Sequence, residues 1–188
     1  MIQLFQRAVS PQFRLETPRL ILRPLRMSDD QDMFAYARDP EVSRHVLWSA
    51  HTSIAQTRAF LRFAIRQYRR EPGSLAIVLK ETGRMIGTVG FVWVSQENKS
   101  AEVGYSLGRA YWNRGIMTEA LRAVVADGFD RLKLNRIEAQ HDLDNPASGH
   151  VMAHVGMQYE GTLRKRLVNK GKFVDVALYA ILRDDPRL

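Results

Sequence analysis

The residues of this chain whose types and spacing could do chemistry gather in one stretch, AEVGYSLGRAYWNRGIMTEAL, residues 101–121. Ala101 to Leu107 alternates, with Val103, Tyr105 and Leu107 on one side, which predicts a strand. Gly108 to Arg114 is a polar and aromatic break. From Gly115 onward Ile116, Met117, Ala120, Leu121, Val124 and Val125 recur at helical spacing. A helix that starts near Asn113-Arg114-Gly115 holds unpaired N–H donors and a partial positive charge, and Arg114 adds a full one. Such a start suits a phosphate; the same pattern also suits an ordinary strand–helix turn. Glu102 opens the strand, as a proton acceptor or as a solvated edge carboxylate. His45, His51, His141, His150 and His154 are the other candidate bases. His150 and His154 stand four apart on a helix, but no glutamate or third ligand accompanies them, so no metal is expected. The chain has no cysteine, which excludes disulfides, thiolate metal sites and a cysteine nucleophile.

These groups need elements to hold them. A chain of 188 residues is enough for one substantial core, and one domain over 1–188 is expected, with residues 1–12 a loosely attached lead-in. The 45% hydrophobic and 26% charged fractions are those of a soluble globular protein. No apolar run approaches the ~20 residues of a membrane span, and MIQLFQRAVSPQF has no long apolar core, so neither membrane nor secretion is expected. Absent cysteine is compatible with a cytoplasmic location. The net charge of +8 is spread over Arg19, Arg23, Arg26, then Arg66, Arg69, Arg70, then Arg164 to Lys172. With no block of five or six like charges, direct nucleic-acid binding is not expected.

In order, Leu20 to Arg23 reads as a strand between prolines, and Ser28-Asp29-Asp30 starts a helix that Asp39-Pro40 ends. Residues 41–51 have no clean period; His45, Trp48 and His51 make an aromatic, polar cluster there. Residues 52–71 read as a helix capped by Thr52 or Ser53. Ser74 to Lys80 and Met85 to Ser95 form a hairpin around Thr82-Gly83. After the central helix, Leu134 to His141 is a strand. Asn145-Pro146 starts a helix that stops at Gly156. Met157 to Val168 and Phe173 to Leu182 form a last hairpin around Asn169-Lys170-Gly171. The order β-α-α-β-β-β-α-β-α-β-β is that of an α+β domain on a mostly antiparallel sheet of about seven strands.

Tyr111 to Leu121 resembles the acetyl-CoA pyrophosphate loop of the GNAT N-acetyltransferases, and the run Glu16 to Leu25 is similar to the opening strand of their RimJ/RimL-type ribosomal-protein acetyltransferase branch. The family pattern is Q/R-x-x-G-x-G/A. Here Ala110 stands at the Q/R position and Asn113 at the first glycine, while Gly115 keeps the second. Asparagine tolerates the left-handed conformation best among non-glycine residues, so a tight loop survives. The resemblance spans residues 13–182.

It implies a GNAT-like fold with helices on both faces of a twisted sheet splayed between its fourth and fifth strands. It implies acetyl-CoA as co-substrate, a primary amine as acceptor, and direct attack in a ternary complex. The acceptor would be the N-terminal amine of a (ribosomal) protein or a small-molecule amine; a homodimer is compatible with it. By resemblance the strand of Glu102 carries a bulge, and Glu102 serves as base through water. The N–H of Leu107 faces the acetyl carbonyl or the pantetheine arm. Trp112, Asn113, Arg114, Gly115, Ile116, Met117 and Thr118 hold the cofactor, and Asn145 contacts its pantetheine. The family's usual tyrosine acid falls at Met152, which has no proton to give. Ser148 matches the serine of the RimL-like branch, as proton relay or as cofactor contact. Trp48, His45 and Tyr105 lie beside the acceptor. A non-catalytic acyl-CoA-binding or ribosome-associated module on the same fold is the alternative, separated by CoA release with amines.

Overall fold

In the computed structural model, residues 10–68 and 72–186 are described. Residues 1–9 of the expected 1–12 lead-in and the end of the expected 52–71 helix, at 69–71, lie outside the described residues. The strands are β1 (Leu15–Glu16), β2 (Leu20–Pro24), β3 (Ser74–Leu79), β4 (Met85–Ser95), β5 (Ser100–Leu107), β6 (Arg136–Asp142), β7 (Gln158–Asn169) and β8 (Lys172–Leu182). The helices are α1 (Asp30–Ala37), α2 (Pro40–Ser43), α3 (Ile54–Gln67), α4 (Ile116–Asp130) and α5 (Pro146–His154). They form one eight-stranded sheet in the order β1-β2-β3-β4-β5-β6-β8-β7. Every neighbouring pair is antiparallel except β5 and β6.

Two elements differ from the reading of the sequence. The two-residue β1 pairs Leu15 with Leu22 and Glu16 with Ile21; two residues are too few to show alternation. Proline at 40 does end α1 upstream, but it also opens the single turn of α2, where the Asp39 side chain accepts from the Glu41 N–H.

Helices cover both faces, and alternation along β4 says which. The Tyr36 hydroxyl of α1 bonds Thr88 and Ser106. On the other face Gly128 of α4 packs against Phe91 and Ile137. Leu20, Ile77, Val89, Val103, Leu121, Phe129, Ile137 and Ile181 are buried in the core.

The feature that positions the site is where β5 and β6 part. Their parallel ladder runs only over Ser100↔Arg136, Ala101↔Ile137 and Glu102↔Glu138. Beyond it β5 stays paired to β4 through Leu107, while β6 stays paired to β8 through Asp142. A wedge opens between the carboxyl ends of two parallel strands. Gly108 N–H donates to Ile86 O at 2.8 Å. Alternation therefore turns the N–H groups of Leu107 and Tyr105 away from β4 and into this wedge, where no strand stands opposite. The expected bulge exists but lies on the neighbouring strand: Phe91 pairs with Val103 and Trp93 with Glu102, leaving Val92 of β4 as the extra residue. β5 itself is regular, so Glu102 and Leu107 stay on opposite faces.

Candidate active site

One wall of the wedge leads into the loop before α4. Gly108 is followed by a 3-10 turn over Arg109–Tyr111 and extended Trp112. Asn113 and Gly115 then take positive φ, 57° and 68°. Left-handed residues on either side of Arg114 reverse the chain tightly enough for Gly115 to become the N-cap of α4. No side chain caps this helix start, so the first-turn amides of Ile116, Met117 and Thr118 remain available to an anion. The Trp112 indole N–H donates to Leu107 O at 2.8 Å, tying the loop to the strand end. Arg114 lies 5.9 Å from the Tyr111 ring centroid.

No spacing or motif points to what braces this loop. Arg19, in the corner before β2, donates from Nη1 to Arg114 O at 2.9 Å and from Nε to Glu119 Oε2 at 2.6 Å. Its own N–H and the Thr17 hydroxyl both donate to Glu119 Oε1, at 2.9 and 2.6 Å. Desolvation raises the Glu119 carboxyl pKa, but these hydrogen bonds and the Arg19 charge outweigh it and hold it below the ordinary value. A carboxylate in the first turn of a helix repels an anion at its start; Arg19 neutralises this one. The partners are about a hundred positions apart, so spacing could not reveal them.

On the face of α4 and α5, the Tyr105 hydroxyl lies 2.9 Å from both the carbonyl O and the Oγ of Ser148. Burial pushes the Tyr105 phenol well above its usual range, while the Ser148 bond pulls the other way. Tyr105 therefore stays protonated at neutral pH and holds the start of α5 against β5. α5 also sits close on β6: a Cβ on Gly149 would fall 2.6 Å from His141 Nε2. Asn145 is the N-cap residue of α5, yet its side chain makes no capping bond. Its amide is left uncommitted, unlike that of an ordinary cap. Met152 is buried beneath the helix.

Glu102 lies on the opposite face. Its Oε2 accepts from Trp93 Nε1 at 2.7 Å and its Oε1 from Gln140 Nε2 at 2.9 Å. These bonds span β4, β5 and β6 at the point of parting. Each carboxylate oxygen keeps a lone-pair direction for a further donor. The hydroxyls of Thr88 and Ser106, 3.1 Å apart, share this face with Tyr36.

The rim of the wedge on the β6 side is built from the irregular 41–51 stretch. His45 Nδ1 is 3.5 Å from Asp142 Oδ2, at the end of β6. Lys170 Nζ, in the β7–β8 turn, donates to the carbonyls of Ser43, Arg44 and Val46 at 2.7–3.2 Å. Trp48 packs on the core and stands 5.7 Å from the His51 ring. His51 Nδ1 bonds Thr57 Oγ1 at 2.8 Å, and desolvation lowers its pKa. The structure thus brings Ser148 and Tyr105 together on one face. It puts Glu102 on the other and leaves His45 and Trp48 on the periphery. Among the described residues no group of three His, Asp or Glu could hold a metal, and no helix is long and apolar enough to cross a membrane.

A parted pair of parallel strands beside an uncapped, glycine-started helix defines a class of acyl-CoA-dependent transferases, and the comparisons agree. The sequence profile of the acetyltransferase (GNAT) domain matches residues 19–158. The chain is similar to the N-acetyltransferase p20 of Bacillus licheniformis, with 35% identity over 170 residues, 90% of this chain and 96% of that protein. It is also similar to the ribosomal-protein-serine acetyltransferase of Escherichia coli, 29% identical over 128 residues, 68% and 71% of the two chains. Among solved structures, RimL, the ribosomal L7/L12 alpha-N-protein acetyltransferase in complex with coenzyme A, superposes with a TM-score of 0.83. It covers 92% of this chain and 99% of that one at 23% identity, a likeness of fold. The chain belongs to the GNAT acetyltransferase family and is an acetyl-CoA-dependent N-acetyltransferase.

Proposed function

We propose that this enzyme acetylates a primary amine on a polypeptide by direct attack on acetyl-CoA in a ternary complex. The observation that carries this reading is the parting of β5 from β6 after Glu102↔Glu138. It gives a thioester arm a way through the sheet, between an anion-binding helix start on one side and a carboxylate on the other.

The amine must be neutral to attack. An α-amino group, with a pKa near 7.7–8.0, needs modest help, and a lysine-like amine near 10.4 needs much more. Glu102, fixed by Trp93 and Gln140, is positioned to take the amine's proton through a water. The C–N bond forms as the carbonyl becomes an oxyanion, which the wedge-facing N–H of Leu107 is oriented to receive. The C–S bond then breaks, and the departing thiolate takes up a proton. Ser148, whose hydroxyl is oriented by Tyr105, supplies or relays that proton. Asn145 and the 112–118 loop hold the pantetheine and the pyrophosphate. The relatives named as ribosomal-protein acetyltransferases favour a protein N-terminus as acceptor over a small amine.

Release of CoA thiol from acetyl-CoA, followed with short peptides bearing free amino termini and with small amines, tests the reading. Turnover with peptides and not with N-acetylated controls is expected. CoA binding without turnover on any amine would make the chain a binding module instead.

A further inference from the structure

The long hairpin of β7 and β8 carries a feature that the chemistry above does not use. Leu163 pairs with Val176 and Leu167 with Val174, so three residues of β7 stand opposite one residue of β8. Those three are Arg164, Lys165 and Arg166, and the residue opposite is Asp175. All three cations are exposed, and Lys165 has a φ of 51°. Asp175 offsets one of the three charges without forming an ion pair with any of them: its Oδ1 accepts the backbone N–H of Lys165 at 2.7 Å. Among the described residues none of the three takes part in an ion pair, which Arg62 and Arg66 also lack, but these three are consecutive. Basic residues also deter pairing along an open edge strand. A bulge with one charge is enough for that role, so it does not account for three consecutive cations.

The bulge lies level with the open end of the wedge, two strands away from it. The carbonyl of Asp175 accepts from Leu143 N–H at 3.3 Å, and Leu143 directly follows the carboxyl end of β6, where the wedge is widest. Only β8 separates the bulge from β6. Two strand spacings of about 4.8 Å put the three cations about 10 Å from the wedge edge, which is about three residues of extended chain. Farther along the same hairpin the cross-strand pair Val168 and Phe173 is 55% and 69% exposed. Cations beside an apolar pair fit a polypeptide better than a small anion.

Resting on the transferase reading, we infer that this bulge selects the acceptor: a polypeptide whose free amino terminus is followed, three to five residues on, by acidic side chains. Attraction between the unpaired cations and that acidic segment speeds encounter and lowers KM, and it weakens with salt.

The test uses the full chain with acetyl-CoA and three peptides that share their first two residues. They carry Asp and Glu, their amides, or Lys at positions four to six. At low salt the acidic peptide is expected to show a kcat/KM about tenfold above its amide counterpart, mostly through KM. The R164Q/K165Q/R166Q variant, checked for an unchanged melting temperature, should erase that preference, as should ~0.5 M salt. Equal use of acidic and amide peptides, or a preference that survives in the variant, overturns the inference. Fluorescence anisotropy with the labelled acidic peptide is read separately. Bulge-dependent binding without turnover on any amine sinks the transferase reading and leaves the surface standing. A short single-stranded RNA that displaces the peptide and binds more tightly through the same three residues would assign the surface to nucleic acid instead.

Discussion

The two ends of the wedge are built on different terms. The end proposed to hold the cofactor, from Trp112 to Glu119, is fixed by at least five hydrogen bonds with Thr17, Arg19 and Leu107. Its working groups are backbone amides. The end proposed to receive the acceptor, around residues 43–46, is tied to the β7–β8 turn by Lys170 and to the end of β6 by His45 and Asp142. A loop braced by remote contacts keeps one geometry whatever the surface residues do. A rim held by a few side chains outside the sheet can be rebuilt without disturbing it. On the proposed reading the first end sets the reaction and the second sets the substrate.

The sharpest way to break that contrast is at Gly115. Its φ of 68° strains any branched residue, although a Cβ there would meet only Arg19, at 3.7 Å. Gly115→Val should weaken CoA binding by about 100-fold, or roughly 2.7 kcal/mol, by calorimetry. Unaltered affinity would mean that the loop does not hold the pyrophosphate.

Next in size is Ser148→Ala, expected to lower kcat by about 10- to 100-fold, 1.4–2.7 kcal/mol, with little change in CoA affinity. Alanine is at least as good a helix former, so a purely structural Ser148 would leave kcat alone. Tyr105→Phe should give a smaller loss of the same kind.

Glu102→Gln should lower kcat/KM about tenfold at pH 6.5 and progressively less toward pH 9, as the amine loses its own proton. A pH–rate profile parallel to wild type would leave Glu102 as no more than the bracket between Trp93 and Gln140.

At the acceptor end, Lys170→Met should raise the acceptor KM about threefold while CoA affinity stays constant, because the carbonyls of Ser43, Arg44 and Val46 and the Asn169 amide oxygen lose their donor and none of them lies in the 112–118 loop. A fall in CoA affinity of the same size would dissolve the distinction between the two ends.

The smallest effect is expected at Glu119→Gln, a loss of roughly 2–4 °C in melting temperature at pH 7, as for about 1 kcal/mol in a domain of this size. The folded pKa of Glu119 lies below its ordinary 4.5. The stabilisation is therefore fully present above that value and fades as pH falls through the lower folded one. The gap between variant and wild type should narrow in melts below pH 4.5; a gap constant with pH would deny the carboxylate its role.

The sequence by itself determined the order of elements. Periodicity placed α3, α4 and the hairpins, because helix and strand repeats are local properties of a buried face. It also placed the helix start at Asn113 to Gly115, because the conformations that loop needs belong to those residue types. Three features had to wait for the folded chain. The short β1 pairs within a span too small to alternate. The bulge sits on β4 rather than β5, because a bulge is a relation between two strands and neither one encodes it alone. The brace of Thr17 and Arg19 on Glu119, the bond between Tyr105 and Ser148, and the grip of Lys170 on Ser43 join residues 43 to 127 positions apart. No period or motif links such pairs; the order of strands in the sheet decides which side chains meet.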